Sequence, residues 1–300
     1  MNAGRELNCW KRRLRKSKSI AGADDEQGFA LLTVILALAV LSVIALALVS
    51  QALSSARAEA HVWEGTRADA LAEAAIVRAA LALSDARPAA RWPVDGRDID
   101  FMFDDVRMTV RIEDELGKID LNTAGGAVIE SLFRAAGTRD EEAAALTATV
   151  LDWRDEKGAG LPHDPSQKLA VRPRHRAFQS LDELRLVPGM TLALYRTIAP
   201  AATVYSQRPA IDPSTASALA LQAAQRLDAA GAQAVLADRA LASRGDAPPG
   251  ALAANIPLAG RAFTVRVTIP LGTKSVTRQA VLRLTGDPAQ PYWMLDWRKE

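Results

Sequence analysis

The sequence predicts an α+β protein: a long N-terminal α-helix, an antiparallel β-sheet, and a large inserted α-helical domain containing a helix-hairpin-helix-like segment. Three observations carry this. An apolar run from Phe29 to Val49 continues without a break into an alanine-rich amphipathic stretch. Residues alternate between apolar and polar near 99–113 and again near 263–297. The long interval between those stretches reads as helical, which makes it an insertion into one sheet.

Phe29–Val49 holds 21 residues without a charge. At about 1.5 Å per residue it spans about 30 Å, the thickness of a bilayer's hydrocarbon core. The stretch before it, 1–28, carries seven basic and four acidic residues, a net +3, so the whole-chain +2 leaves −1 for everything after Gly28. The basicity belongs to the leader. By the positive-inside rule it keeps the leader cytoplasmic and sends the C-terminal bulk across the membrane. A cleaved secretory signal with its site near Ala52–Ala56 is the alternative, but the apolar run exceeds the usual 7–15 residues of such signals. The one cysteine, Cys9, lies in the leader, so the exported part has neither a disulfide nor a thiolate metal site.

Ser50 to Leu83 lacks proline and is dense in good helix formers. Leu53, Ala56, Ala60, Trp63, Ala70, Ala74, Val77 and Leu81 recur at three- and four-residue spacing, an apolar stripe. The stripe reads either as the face packed on the protein's own sheet or as a stalk that also packs on neighbouring subunits, and one helix has faces for both. Pro88 and Pro93 end it.

Val106, Met108, Val110 and Ile112 alternate with polar residues, a half-buried strand, with Ile99, Phe101 and Phe103 as its hairpin partner. Phe263, Val265, Val267 and Ile269 form another, Pro270–Lys274 a turn, Val276–Leu284 the return strand, and Tyr292–Trp297 a last one. In the middle, Ile119–Ala124 echoes Ile211–Ala216, and each reads as a strand-to-helix junction with Asn122, or Asp212 to Ser214, placed to cap the helix. Glu142–Trp153 is helical, Lys157–Pro173 a loop, and Phe178–Ile198 two helices around Val187-Pro188-Gly189-Met190. A polar linker, Ser243–Gly250, precedes the final strands.

The chemistry-bearing residues exclude more than they offer. His61, His163 and His175 are scattered, and no nucleophile elbow, zinc-protease motif or phosphate loop is present, so no enzyme is expected. Trp63, Trp153 and Trp293 read as packing residues. A DNA-binding hairpin needs two turn glycines to bring backbone N–H groups to phosphate; Gly189 is there, but Thr191 stands in the second place and the exported part is net negative. A membrane-anchored, periplasmic helix-hairpin-helix DNA-binding protein of the competence type is the rival class, and no nucleic acid is expected.

Several motifs together resemble one family. They are Gly28-Phe29-Ala30-Leu31-Leu32, Glu115-Leu116-Gly117-Lys118-Ile119-Asp120-Leu121-Asn122, Leu151-Asp152-Trp153-Arg154-Asp155, Phe178-Gln179-Ser180-Leu181-Asp182-Glu183-Leu184, Thr203-Val204-Tyr205-Ser206 and the terminal Trp297-Arg298. In order and coverage, from Gly28 to the C-terminus, the chain resembles the minor pseudopilin K family of bacterial type II secretion systems. The resemblance implies a type IV pilin-like fold. Its parts would be a prepilin leader (1–28), the membrane half of the N-terminal helix (29–49), a first pilin-like part (50–120), an inserted helical domain (121–203) and a second pilin-like part (204–300).

It also implies a set of partners and sites. Prepilin peptidase would cut after Gly28 and methylate the new amino group of Phe29. Leu31, Leu32, Thr33, Val34, Ile35 and Leu36 would belong to the membrane and assembly helix. The protein would sit in the inner membrane with a single span and a periplasmic C-terminal domain. Its partners would be the I- and J-type minor pseudopilins, the major pseudopilin and the inner-membrane assembly platform. Pilin-like subunits usually carry glutamate at the fifth mature position, where it meets a neighbour's N-terminal amine; this chain has Thr33, a lack that K-type proteins share and that suits a subunit with no neighbour beyond it. The family resembles calcium binders in the loop after Asp-Trp-Arg-Asp. Here Gly158-Ala159-Gly160 drops an acid and Lys157 adds a cation, leaving Asp155, Glu156 and Asp164 as ligands for a cation that takes six to eight oxygens. The competing reading is a solvated loop with Asp152 or Asp155 paired to Arg154.

Overall fold

The computed structural model describes residues 23–87, 90–155, 174–242, 258–271 and 274–299. These divide into two units between Trp63 and Glu64. The first is helical throughout. Helix α1 (Ala23–Leu83) starts ahead of Gly28, so the Gly28–Phe29 junction lies within a helix. Thr33, Ser42, Ser50 and Ser54 each donate a hydroxyl to a carbonyl three or four residues back, at 2.7–2.8 Å. That keeps their polar atoms bonded without water.

In the second unit, the described residues form a five-stranded antiparallel sheet of β1 (Asp95–Phe103), β2 (Val106–Asp114), β5 (Ala262–Leu271), β6 (Lys274–Asp287) and β7 (Gln290–Lys299), in that order across the sheet. The expected strands and the interrupted sheet are all present: Val110 pairs with Val267 although the chain makes a long excursion between them. The β1–β2 hairpin turns on Asp104 and Asp105, both at positive φ (51° and 58°), the conformation of a tight turn matched to strand twist. The expected Pro270–Lys274 turn is shorter, because Pro270 and Leu271 already pair with Ser275 and Lys274.

The helix face that covers this sheet differs from the expected stripe. Ala68, Leu71, Ala72, Ala75, Ile76, Ala79 and Leu83 are buried against Met108, Val110, Ile112, Val265, Val267 and Leu282. Small alanines let the helix axis approach the sheet closely. Ala70, Val77 and Leu81, from the expected stripe, point away and are exposed, and Ala74 is half-buried.

The helical domain has its own core. It contains α2 (Gly126–Ala135), α3 (Asp140–Arg154), a 3-10 turn over Leu181–Leu186, α4 (Leu192–Ile198), α5 (Ala218–Gln225) and α6 (Ala229–Ala242). Ile129, Leu132, Phe133, Leu146, Val150 and Trp153 are fully or nearly fully buried there, with Trp153 stacked on Phe178 at 6.4 Å. Ala220, Leu221 and Ala232 join the same cluster. Helices α5 and α6 therefore pack with the insertion, although the expected boundary at 203 places them with the sheet. The first arm of the hairpin is 3-10, not α, and Gly189 (φ +89°) supplies the turn, closed by Met190 N–H donating to the Val187 carbonyl. Thr191 caps α4, accepting from the Leu194 amide.

The two echoing segments prove to be one turn used twice. Asp120 accepts from the Asn122 amide, and its carbonyl from Thr123 and Ala124; Asp212 accepts from the Ser214 amide, and its carbonyl from Thr215 and Ala216. Contrary to the expectation that Asn122, or Asp212 to Ser214, caps the following helix, neither segment does. Gly125 precedes α2 without a side-chain cap, and Ser217 caps α5. Asn122 instead exchanges two hydrogen bonds with the backbone of Phe178, at 2.9 and 2.8 Å.

A polar joint fastens this domain to the sheet. The short strand β3 (Ile119–Asp120) runs parallel to β4 (Ala202–Thr203) at the root of the insertion. Glu115, buried, accepts from Thr264 Oγ1 of β5 (2.6 Å), from Lys118 Nζ (2.7 Å) and from Thr203 Oγ1 of β4. Burial pulls Lys118 down, but Glu115 and Glu113 outweigh it and hold its ammonium above the ordinary lysine range. Asp114, where the chain leaves the sheet, pairs with Arg261, where it returns. Burial pushes the Asp114 carboxyl up to about 6 while Arg261 pulls the other way. Asp120 also accepts from Ser206 Oγ (3.1 Å) and the Gln207 amide (2.7 Å).

Gly117 sits in this joint because nothing larger fits: a Cβ there would lie 2.6 Å from the Thr215 carbonyl oxygen. Gly117→Ala should destabilise the chain by about 1–3 kcal/mol through overpacking. In the detergent-solubilised protein this appears as a Tm lower by about 2–4 °C per kcal/mol; an unchanged Tm would contradict the packing described.

Candidate functional site

The residues expected to act are spread along α1. Phe29, Leu31, Leu32, Val34, Ile35 and Leu36 are all exposed, as is every described side chain from Phe29 to Ala60. The stretch has the length and composition to cross a membrane, with a mean hydropathy of 3.0 over its most apolar window. Thr33 places no charge among them; its hydroxyl is bonded to Ala30. Gly28 and Phe29 follow one another inside the helix.

Beyond the apolar run the helix keeps large uncovered groups. Trp63 is 76% exposed in the first unit, and Leu81 is 53% exposed in the second. Of the three tryptophans expected to pack, only Trp153 is in a core; Trp293 on β7 is 53% exposed. Within the second unit α1 thus has two apolar faces, one filled by its own sheet and the other open. Sequence periodicity marks both and cannot say which is which.

Of the expected calcium ligands, Glu156 and Asp164 lie outside the described residues. Asp155 accepts from Arg154 Nε at 3.1 Å, as in the competing reading. Arg154 also donates through Nη1 to the carbonyls of Leu121 and Ala124, both at 2.7 Å. A guanidinium on the carboxylate is a poor setting for a divalent cation, and among the described residues no group of three His, Cys, Asp or Glu side chains is placed to hold one. His175 Nδ1 lies 3.0 Å from the Asp152 carbonyl, far from any acid–base partner role; His163 lies outside the described residues. In the hairpin, Thr191 holds the place of the second turn glycine, and its hydroxyl caps α4.

In the second unit the end of α1 backs an antiparallel sheet, and a helical domain is inserted between β2 and β5, which defines an α+β protein. Within that class, residues 114–207 match the family model for protein K of the type II secretion system (T2SS). These residues begin at Asp114 of the joint and end at Gln207, the last donor to Asp120. A search of the curated proteins found no match. Among solved structures, the chain is similar to a chain of the GspK-GspI-GspJ complex from the type 2 secretion system of enterotoxigenic Escherichia coli. The TM-score is 0.51 at 16% identity, over 83% of this chain and 99% of that one. The resemblance to minor pseudopilin K read from the motifs is thus supported by the family domain, and the fold by the structure.

The two faces of α1 make separable predictions. Ile76→Ala should cost about 2–4 kcal/mol by emptying the sheet-facing core, whereas Leu81→Gln should change stability by less than about 0.5 kcal/mol. Denaturant unfolding of the two variants checks this; similar losses for both would mean the outer face is covered.

Proposed function

We propose that this chain is a minor pseudopilin that caps the tip of the type II pseudopilus together with I- and J-type minor pseudopilins and starts its assembly, for export of folded proteins across the outer membrane. The observation that carries the reading is the uncovered apolar surface of α1, from Phe29 onward and again at Ala70, Val77 and Leu81. A helix this apolar is at home in lipid or against other helices. The structure it is similar to is a complex of the K, I and J proteins, which supports I- and J-type partners here.

In this reading prepilin peptidase cuts after Gly28 and methylates Phe29. The new N-terminus then lies at the start of a helix that spans the inner membrane once, with the domain after Ser50 in the periplasm. Helix 29–49 packs against the equivalent helices of its partners. Association in lipid depends on close contact between small residues, and the alanines through this half of α1 supply them. Thr33 offers no carboxylate to the amine of a subunit above, and the helical insertion adds bulk on one side. Both suit the terminal place. Major pseudopilin then adds beneath, fed by the inner-membrane assembly platform. The chain acts by packing, with no catalytic step.

N-terminal sequencing and intact mass of the membrane-extracted protein, with and without prepilin peptidase, test the first step. The expected product starts at N-methylated Phe29 only when the peptidase is present; a start at Met1 in both cases removes the pilin-like reading. Replacing Gly28, or placing one charge within Leu31–Val40 such as Val34→Asp, should abolish secretion. A charge at mid-span costs about 2.5–3.5 kcal/mol, so normal secretion by these variants would overturn the assembly role.

A further inference from the structure

One cavity of the second unit lies at the edge of the sheet core, away from the joint, and shares Leu83, Leu258 and Leu284 with that core. It has a volume of about 480 Å³ and lies where α1 ends, beside the β6–β7 hairpin, lined by Leu81, Leu83, Leu258, Leu284, Pro288 and Pro291. That volume is within the range of pockets that hold a compact apolar group. Its rim carries a cation. Arg91 donates through Nε to the Asp85 carbonyl at 2.8 Å, and after Arg87 it helps hold the Asp85 carboxyl below its ordinary range. The Asp85 carboxylate is taken by Arg87, through two guanidinium nitrogens and the backbone amide. Asp287, also on the rim, has Oδ1 engaged by the Ala289 amide. An apolar cavity with a half-buried guanidinium at its mouth suits a ligand that is apolar and carries an anion beside the apolar part.

Leu81 decides what presents that ligand. It lines the cavity and also ends the uncovered face of α1 that runs through Ala70, Ala74 and Val77. The cavity is thus the end of an apolar track about 16 Å long on one helix face. A polypeptide lying on the track reaches it without leaving apolar surface.

We propose that this cavity is a docking pocket for an apolar side chain of a partner polypeptide, with an adjacent carboxylate of that partner meeting Arg91. The apolar group enters between Leu81, Leu284 and Pro291. The pairing adds specificity to a face that is otherwise only greasy, since a guanidinium selects a planar carboxylate in two-point contact. The inference goes beyond the secretion role, because it needs only that the outer face of α1 be covered by protein.

Two experiments test it. The full chain in detergent, with labelled leucine and valine methyl groups, is titrated with N-acetylphenylalanine and with its amide. The acid should shift the methyl resonances of Leu81, Leu258 and Leu284 and bind about fivefold tighter than the amide. Arg91→Gln should erase that difference, and Ala259→Phe, filling the mouth, should abolish both responses, with distant methyl resonances reporting that each variant is folded. Equal binding of acid and amide by the unaltered chain, or no shift at those three leucines, overturns the pocket chemistry. A photoreactive benzoylphenylalanine at Ala259 in secreting cells addresses the source. An adduct mapped by mass spectrometry to an apolar residue within two positions of Asp or Glu is expected; a lipid adduct, or none, overturns the assignment to a polypeptide.

Discussion

The buried carboxylate of Glu115 is the contact on which the second unit depends. It stands just past the end of β2 and accepts hydrogen bonds from β5 on the sheet and from β4 at the root of the insertion. A charge taken out of water is tolerated only when it is paired and its oxygens are occupied, so Glu115 ties the position of the helical domain to the sheet. One residue earlier, Asp114 and Arg261 join the point where the chain leaves the sheet to the point where it returns. Closing so long an excursion costs little more entropy than closing a shorter one, since the penalty grows only with the logarithm of length. What an insertion of this size needs is a fixed attachment, and the paired charges provide it.

The same joint explains why the motifs that carry the family resemblance are scattered in sequence. Glu115 to Asn122 supply the root. Arg154 bonds the carbonyls of Leu121 and Ala124, Phe178 exchanges two hydrogen bonds with Asn122, and Thr203 and Ser206 donate to Glu115 and Asp120. From the far C-terminus, Arg298 pairs with Asp182 at 3.0 Å, and Asp296 accepts from the Tyr205 hydroxyl at the same distance. Five of the six motifs converge on one set of polar contacts. The remaining one, Gly28 to Leu32, belongs to the other unit, a helix long and apolar enough to cross a membrane.

Much of this was legible in the chain and some was not, for physical reasons. Strands announce themselves because one residue in two must be apolar, so one sheet interrupted by an insertion was legible, while the pairing of β2 with β5 is a tertiary fact. The orientation of α1 is different. Alanine is apolar enough for a core and small enough for any surface, so a helix rich in it shows several stripes at once. Ala72 and Ala75 went inward and Ala70 outward, a choice made by Ile76 and Leu83 packing on the sheet. Asn122 looked like a cap because asparagine bonds backbone wherever backbone is unpaired; that its partner is Phe178, 56 residues on, is a tertiary fact. The membership of α5 and α6 in the helical core was hidden for the same reason as the face of α1, since their buried residues are alanine and leucine at positions that would serve equally against the sheet.

An alanine-rich helix that can be apolar on two faces is also what a subunit of an assembly requires. One face must hold the subunit together before assembly and the other must remain available, without large exposed side chains that would drive indiscriminate association. In the second unit, α1 spends Leu71, Ile76, Leu83 and most of its alanines inward and exposes Ala70, Val77 and Leu81 beside Glu73 and Arg78. The free energy of folding is thereby nearly independent of the outer face, and that face can be fitted to a partner. The rigid joint completes the arrangement. Glu115 and Asp114 fix the insertion to the sheet through buried charges instead of a linker, so the proposed partner along α1 would meet a domain of set direction.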